Sequence, residues 1–276
     1  MTHKVGFEYR GNGGSGRTPF EIFLQYTDEK EKSAAVLGAI MSRLIRKGGM
    51  TLLDIGSGNG AYLRLAFDKV KGSKKTSIVL LEPGDDLVAK LRNTAKLFPR
   101  NTVAKVVHSS FEEFASDERF DLVLASHVPL AKDDSTKLPG IYSRMLGLLK
   151  PSGHLIVVMR EKDDIHWFRT TFKSQIMGKD YTSLTIGDVE RVFKQIATHL
   201  PLRFKKFSAQ ASTSLPYPDN MENVITIVEF LLNARWEEIP AKIRNSVLKY
   251  IHDRHGRLRQ IDGFLVVEKI YHQKKR

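Results

Sequence analysis

Cysteine is absent from all 276 residues. That removes disulfides, thiolate-bound metals, iron–sulfur clusters and a cysteine nucleophile. Long apolar runs are missing too, since none reaches the roughly 20 residues that a membrane-spanning helix needs. The opening stretch "MTHKVGFEYRGNGGSGR" has no apolar centre of a secretory signal. These absences lead to the expectation of a cytoplasmic protein with no membrane partner. Acidic residues are in deficit, with 31 Asp and Glu against 44 Lys and Arg, a net charge of +13. Ten basic and three acidic residues put +7 of it in residues 241–276. Such a balance attracts nucleic acid, acidic proteins or anionic small molecules. The basic residues alternate with apolar ones at helical spacing and are not blocked together, as on a solvated basic face. What the chain does have is 41% hydrophobic residues, enough to bury the core of one large domain with or without an appendage.

Along the chain, residues 1–18 are Gly-rich, polar and basic, which predicts a flexible arm. Residues 19–49 read as one or two helices ending in basic residues and a Gly pair. Strands and helices then alternate. Strands are expected in "MTLLDIGS", "TSIVLLEP", "TVAKVVHS", "FDLVLASHV" and "GHLIVVMRE". Helices are expected in "AYLRLAFDKVK", "DLVAKLRNTAKL" and "STKLPGIYSRMLGLLKP", with a helical turn at "FEEFAS". Continuous apolar strands separated by helices imply a parallel sheet covered on both faces. Beyond residue 161 the pattern changes to two helices, a strand "RFKKFSAQASTSL", a second helical pair and a last strand "DGFLVVEKIYH".

The stretch "LLDIGSGNGAYLRL", residues 52–65, concentrates three glycines between a strand and a helix. Gly56, Gly58 and Ala61 pass for a dinucleotide fingerprint, with Glu82 at the distance of a ribose ligand. Read as D-x-G-x-G-x-G, the same stretch begins at Asp54 and runs through Gly56, Ser57, Gly58 and Gly60. No Gly-Lys-Ser/Thr follows, so it is not a P-loop. Asp54 bears on the choice, because a carboxylate at the strand end repels a pyrophosphate and attracts an ammonium group. Position bears on it as well, since dinucleotide fingerprints usually open their domain and about 50 residues precede this one.

In this second form the stretch resembles motif I of class I S-adenosylmethionine-dependent methyltransferases. Glu82 and Pro83 end strand two in "VLLEP", where that family's acidic residue takes both ribose hydroxyls. Ser110 and Phe111 in "HSSFEEF" fall where the family surrounds adenine. "FDLVLASHVPL", with Ser126, resembles motif IV, and "MLGLLKPSGHLIVV" resembles the approach to strand five. The resemblance covers residues 50–160. It implies S-adenosyl-L-methionine as cofactor, with S-adenosyl-L-homocysteine as product. It also implies an α/β, Rossmann-like methyltransferase fold: a seven-stranded mixed sheet in the order 3-2-1-4-5-7-6 with helical cover. On this reading residues 19–49 form an N-terminal helical lid. Residues 50–276 form the methyltransferase domain, with a helical insertion at about 215–261 covering the substrate.

Over the whole chain the sequence is similar, more weakly, to the histamine N-methyltransferase group. The family's substrate-binding glutamate lands on Glu29 in "FLQYTDEKEK". Its asparagine before the last strand lands on Gln260, and its polar residue at the end of strand four lands on Ser126. The chain departs from the family at these last two. Aromatic candidates for a substrate wall are Phe20, Phe23, Tyr26, Trp167, Phe168 and Trp236. His127, after strand four, is the titratable group placed beside the methyl, with a pKa suited to a base at neutral pH. Ser126-His127-Val128-Pro129 does not match the Asn/Asp-Pro-Pro-aromatic of enzymes that methylate exocyclic base amines. Asp133 and Asp134 read as a polar loop opening a helix, so no metal is expected. These readings lead to N- or O-methylation of a small molecule, an anionic one fitting the basic surface. The alternative is methylation of RNA or protein through that surface. A non-catalytic binding protein would have no reason to keep Asp54, Gly56, Gly58 and Glu82.

Overall fold

In the computed structural model the described residues are 18–44, 49–70, 75–128, 130–131 and 134–270. Residues 1–17, expected as a flexible arm, residues 45–48, expected to end a helix, and the stretch "HQKKR" lie outside them. Seven strands form one sheet: β1 (Met50–Ile55), β2 (Thr76–Glu82), β3 (Thr102–His108), β4 (Phe120–Ser126), β5 (Leu149–Arg160), β6 (Leu202–Ser214) and β7 (Arg257–Lys269). Their order is β3-β2-β1-β4-β5-β7-β6, as expected from the resemblance. The first five strands pair in parallel, and β7 runs antiparallel to β5. The helices are α1 (Pro19–Gln25), α2 (Glu29–Leu44), α3 (Ala61–Asp68), α4 (Asp85–Ala95), α5 (Leu138–Gly147), α6 (Asp164–Met177), α7 (Ile186–Ile196), α8 (Met221–Leu232) and α9 (Ala241–Asp253).

By their contacts the residues fall into two units. The larger comprises Lys30–Glu161, Leu184–Ala209 and the chain from Asp262. Its central strands are apolar on both faces, with successive side chains going to opposite layers. Leu53 and Ile55 of β1, Val123 and Ala125 of β4, and Leu265 and Val267 of β7 join the layer that holds Tyr142, Met145, Val189 and Phe193 of α5 and α7. Leu52, Leu122, Leu124, Phe264 and Val266 join the layer of Leu37, Met41, Leu63 and Phe67 from α2 and α3. Close packing extends to the backbone at Gly263. A Cβ there would lie 2.9 Å from Glu161 Oε1 and against Ile186 Cγ2 and Cβ. Gly263→Ala is expected to destabilise the protein by about 1–3 kcal/mol through overpacking. Urea denaturation of the variant would measure it, and an unchanged midpoint would show that the strand yields freely at this point.

The smaller unit gathers the described residues up to Glu29, Lys162–Ser183 and Gln210–Ile261. It has its own core, in which Ile22 and Phe23 of α1, Phe168 and Phe172 of α6, Val224 and Val228 of α8, and Val247 and Ile251 of α9 come together. Thr18 starts α1 with a reciprocal cap: Glu21 N–H donates to its hydroxyl, and its own N–H donates to Glu21 Oε2. The helical run ahead of β1 breaks in two after Tyr26. There Asp28 N–H donates to the Ser212 carbonyl, and Ser212 N–H donates to Asp28 Oδ1. Asp163 caps α6 by accepting from His166 N–H at 2.7 Å, and its other oxygen accepts from Ile261 N–H at 2.8 Å.

Several element limits differ from the sequence expectation. "FEEFAS" forms turns without a helix. The helix expected from Ser135 is a 3-10 turn followed by α5. Asp134 caps that turn, accepting from Thr136 N–H at 3.0 Å, while Asp133 lies outside the described residues. β5 begins at Leu149, ahead of Gly153, and takes a register shift between Phe120 and Leu122 of β4. β7 begins at Arg257, five residues before "DGF".

Candidate active site

β2, β1 and β4 are neighbours, and their carboxyl ends carry Glu82, Asp54 and Ser126. This is the edge at which open α/β sheets bind ligands. The loop from β1 to α3 is built from alternating left-handed glycines: Gly56 at φ 67°, Gly58 at 59° and Gly60 at 77°. Their surroundings differ. A Cβ on Gly56 would lie 2.8 Å from Val128 Cγ2, and one on Gly60 2.7 Å from Leu91 Cδ1. A Cβ on Gly58 would meet nothing within 4 Å. Gly56 and Gly60 are therefore explained by packing within the protein, whereas Gly58 opens onto free space.

The Glu82 side chain is buried and aimed at this loop. Its Oε2 accepts from Gly58 N–H at 2.8 Å, and its Oε1 from Gly84 N–H at 2.9 Å. Each carboxylate oxygen retains lone-pair capacity for a further donor. Ser57 N–H donates to the Leu81 carbonyl at 2.9 Å, fastening the loop to the end of β2. Asp54 is 4% exposed. Burial raises its pKa to about 7; the Ser57 hydroxyl opposes the shift, and the nearby Glu82 charge adds to it.

Beside them Pro83 is exposed, and its carbonyl lies 3.0 Å from His108 Nε2. Ser110 caps the following turn through Glu113, with its Oγ donating to Glu113 Oε2 at 2.9 Å. Phe111 is buried in the larger core, with the Arg144 guanidinium 4.5 Å from its ring centre. Ser126 Oγ is buried without a hydrogen-bond partner among the described residues. An orphaned buried hydroxyl at a strand end invites a ligand donor or acceptor. His127 follows at φ 52°, its N–H donating to the Val158 carbonyl at 2.9 Å. Its Nε2 lies 3.2 Å from Oδ2 of Asp262, which is 1% exposed. Asp262, 135 residues away, went unnoticed in the sequence; its only signal was an acidic residue opening an apolar strand.

A methyltransferase-domain sequence model matches residues 46–184, half of the chain. The chain belongs to the methyltransferase-domain family. No curated protein sequence matches this methyltransferase. Its fold is similar to that of a Bacillus halodurans protein solved as a candidate methyltransferase, at a TM-score of 0.53 and 13% identity over 84% of this chain and 97% of that one. It is also similar to YcgJ of Bacillus subtilis, at a TM-score of 0.51 and 14% identity over 86% of this chain and 99% of that one. A methyltransferase from Geobacter sulfurreducens, solved with S-adenosyl-L-homocysteine, matches at 0.49 and 14% identity over 88% and 91% of the two chains.

The other sequence-predicted residues of the methyltransferase lie in or at the edge of the smaller unit. Phe23 is 4% exposed in its core and Phe168 is fully buried, whereas Phe20 and Trp167 are 39% and 46% exposed. Trp167 stacks on Tyr250 with ring centres 4.5 Å apart. Tyr26 Oη accepts from Asn223 Nδ2 at 2.8 Å. Trp236 N–H donates to Glu229 Oε1 at 2.7 Å. Glu29 is buried at the start of α2. Gln260 is fully buried, its amide donating to Thr27 Oγ1 at 2.9 Å and to Thr213 Oγ1. Those two threonines had no signal in the sequence. No helix among the described residues is long and apolar enough to cross a membrane.

Proposed function

We propose that the protein transfers a methyl group from S-adenosyl-L-methionine to nitrogen or oxygen of a small molecule. The observation that carries the cofactor reading is the open space before Gly58, beside a buried carboxylate at the end of β2. Gly58 lets a ligand approach the backbone, and Glu82 offers paired acceptors to a ribose diol. Asp54 provides a carboxylate for an ammonium group. Ser126 and His127 stand at the end of β4, where the acceptor would meet the methyl. The cofactor supplies an electrophilic methyl on a sulfonium sulfur, which departs as the neutral thioether of S-adenosyl-L-homocysteine. The chain's own part is to position the acceptor, exclude water and take a proton where the acceptor carries one.

The small-molecule reading is supported by the helices between β6 and β7, which belong to a unit with its own core. Ser-His-Val after β4 departs from the motif of base-amine methylation. A second reading, methylation of RNA or protein, is favoured by the net charge of +13. Methyl-labelled S-adenosyl-L-methionine incubated with protein and a source-cell extract separates the two. Label in the small-molecule fraction is expected; label in RNA or protein would overturn that assignment.

Asp54 gives a pH-dependent prediction. Its folded pKa of about 7 lies above the ordinary aspartate value of 3.8, so the free protein holds a proton that the unfolded chain has lost between those values. Over that window the free protein loses stability as pH rises, by up to ~1.4 kcal/mol per unit. A bound ammonium favours the ionised carboxylate. Cofactor binding at pH 6 should therefore release about one proton per site. Calorimetry in buffers of different ionisation heat measures this, and zero release would remove Asp54 from the ammonium contact.

A further inference from the structure

We propose that Asp262 is a positioning residue for His127. It would hold the imidazole in one tautomer, so that the ring accepts a proton from an acceptor arriving as N–H or O–H. The inference rests on the reading of His127 as standing at the transfer site.

Three features of the larger unit carry it. The first is geometry: Asp262 Oδ2 lies 3.2 Å from His127 Nε2. The second is the contrast in exposure. The Asp262 side chain is 1% exposed, while that of His127 is 36% exposed. A buried carboxylate is costly unless a donor faces it, and the ring that faces it belongs to a side chain about a third exposed. The third is the backbone. His127 stands in the left-handed region at φ 52°, where a Cβ crowds the backbone and a non-glycine residue is strained. Its N–H is bonded to the Val158 carbonyl at 2.9 Å. The residue is thus held from the main chain and from the ring. Strain retained at the end of a central strand calls for a use.

A carboxylate only accepts, so the Nε2 that faces it carries the hydrogen. In the neutral ring the lone pair then sits on Nδ1. The acceptor's N–H or O–H bond breaks, its proton goes to Nδ1, and the electron pair stays on the acceptor atom as the nucleophile. The resulting imidazolium is stabilised by the Asp262 carboxylate. Solvent takes the proton afterwards. The acceptor class that needs this arrangement is an alcohol, a phenol or a protonated amine. A neutral amine or a thiolate needs no base.

The test uses the full chain labelled with nitrogen-15 at histidine. The His127 resonances, assigned through His127→Gln, should show Nε2 protonated and Nδ1 bare. Asp262→Asn should lose this pattern while keeping the melting temperature and the affinity for S-adenosyl-L-homocysteine within about twofold. Transfer of labelled methyl to the small-molecule fraction of a source-cell extract should fall by roughly 100-fold or more in Asp262→Asn. In the His127→Gln background the same change should add nothing, because residues acting as a unit are non-additive. An unchanged tautomer, an unchanged rate, or a full additional loss in the double variant would each overturn the proposal. Label absent even with the wild-type protein would overturn the methyl-transfer reading and the base role with it. The tautomer pattern would then report the pairing alone.

Discussion

Gly58→Val should abolish binding of S-adenosyl-L-methionine while costing the fold only about 1–2 kcal/mol, the penalty of a left-handed residue with a Cβ. The asymmetry comes from the loop. At φ 59° Gly58 is conformationally special, yet no atom lies within 4 Å of its would-be Cβ. The protein has room for the side chain, and the ligand does not. Gly56→Ala is the internal contrast. Its Cβ would lie 2.8 Å and 3.0 Å from the two methyls of Val128. The stability loss there should be the larger of the two, about 1–3 kcal/mol from overpacking added to the left-handed penalty. Calorimetric titration with S-adenosyl-L-homocysteine and thermal denaturation of both variants give the comparison. Retained affinity in Gly58→Val would sink the cofactor assignment.

The second large effect is expected at Glu82. Glu82→Ala removes the acceptor of two backbone N–H groups, Gly58 at 2.8 Å and Gly84 at 2.9 Å, together with the contact proposed for the ribose. Loss of a charge-assisted contact of this kind costs roughly 1–3 kcal/mol of binding, about 5- to 150-fold in affinity. Loop order falls in the same step, since Gly58 N–H loses the partner that orients it. Glu82→Gln separates the two roles. The amide oxygen satisfies one N–H, while its NH2 faces the other, donor against donor. Its affinity should lie at or below that of the alanine variant. A Gln variant that binds like wild type would show that the carboxylate charge is not part of the cofactor contact.

The parallel half of the sheet was legible because its strands are apolar on both faces and the intervening helices carry alternating polar positions. The resemblance in motif order added the antiparallel strand and the strand order. What stayed hidden has identifiable causes. β7 starts early in "RLRQID", where the buried positions are Leu258, Gln260 and Asp262. Period-two alternation is present, but two of the three inward residues are polar, so it does not look like a strand. β5 starts at Leu149 because the register shift carries Pro151, Ser152 and Gly153 inside the strand. Those residues read as a turn. At the site, Asp54, Gly58 and Glu82 were legible from the glycine spacing together with the resemblance to motif I. The Asp262–His127 pairing joins the interior of β7 to the residue after β4, and no local pattern encodes it. Phe23 and Phe168 were read as candidate walls, and the structure places both in the core of the smaller unit. Helical spacing alone cannot tell a core aromatic from a wall.

The strand order has a consequence for synthesis. β7 lies between β5 and β6 and is the last of the described strands in chain order. A nascent chain emerging from the ribosome can therefore assemble β1 to β5 early, because each new strand finds a neighbour already made. β6 finds none. It must wait, without a neighbouring strand on either edge, until residues 257–269 have emerged. Asp262 and His127 meet in that same closing step, so the pairing inferred for catalysis forms only after β7 has joined the sheet.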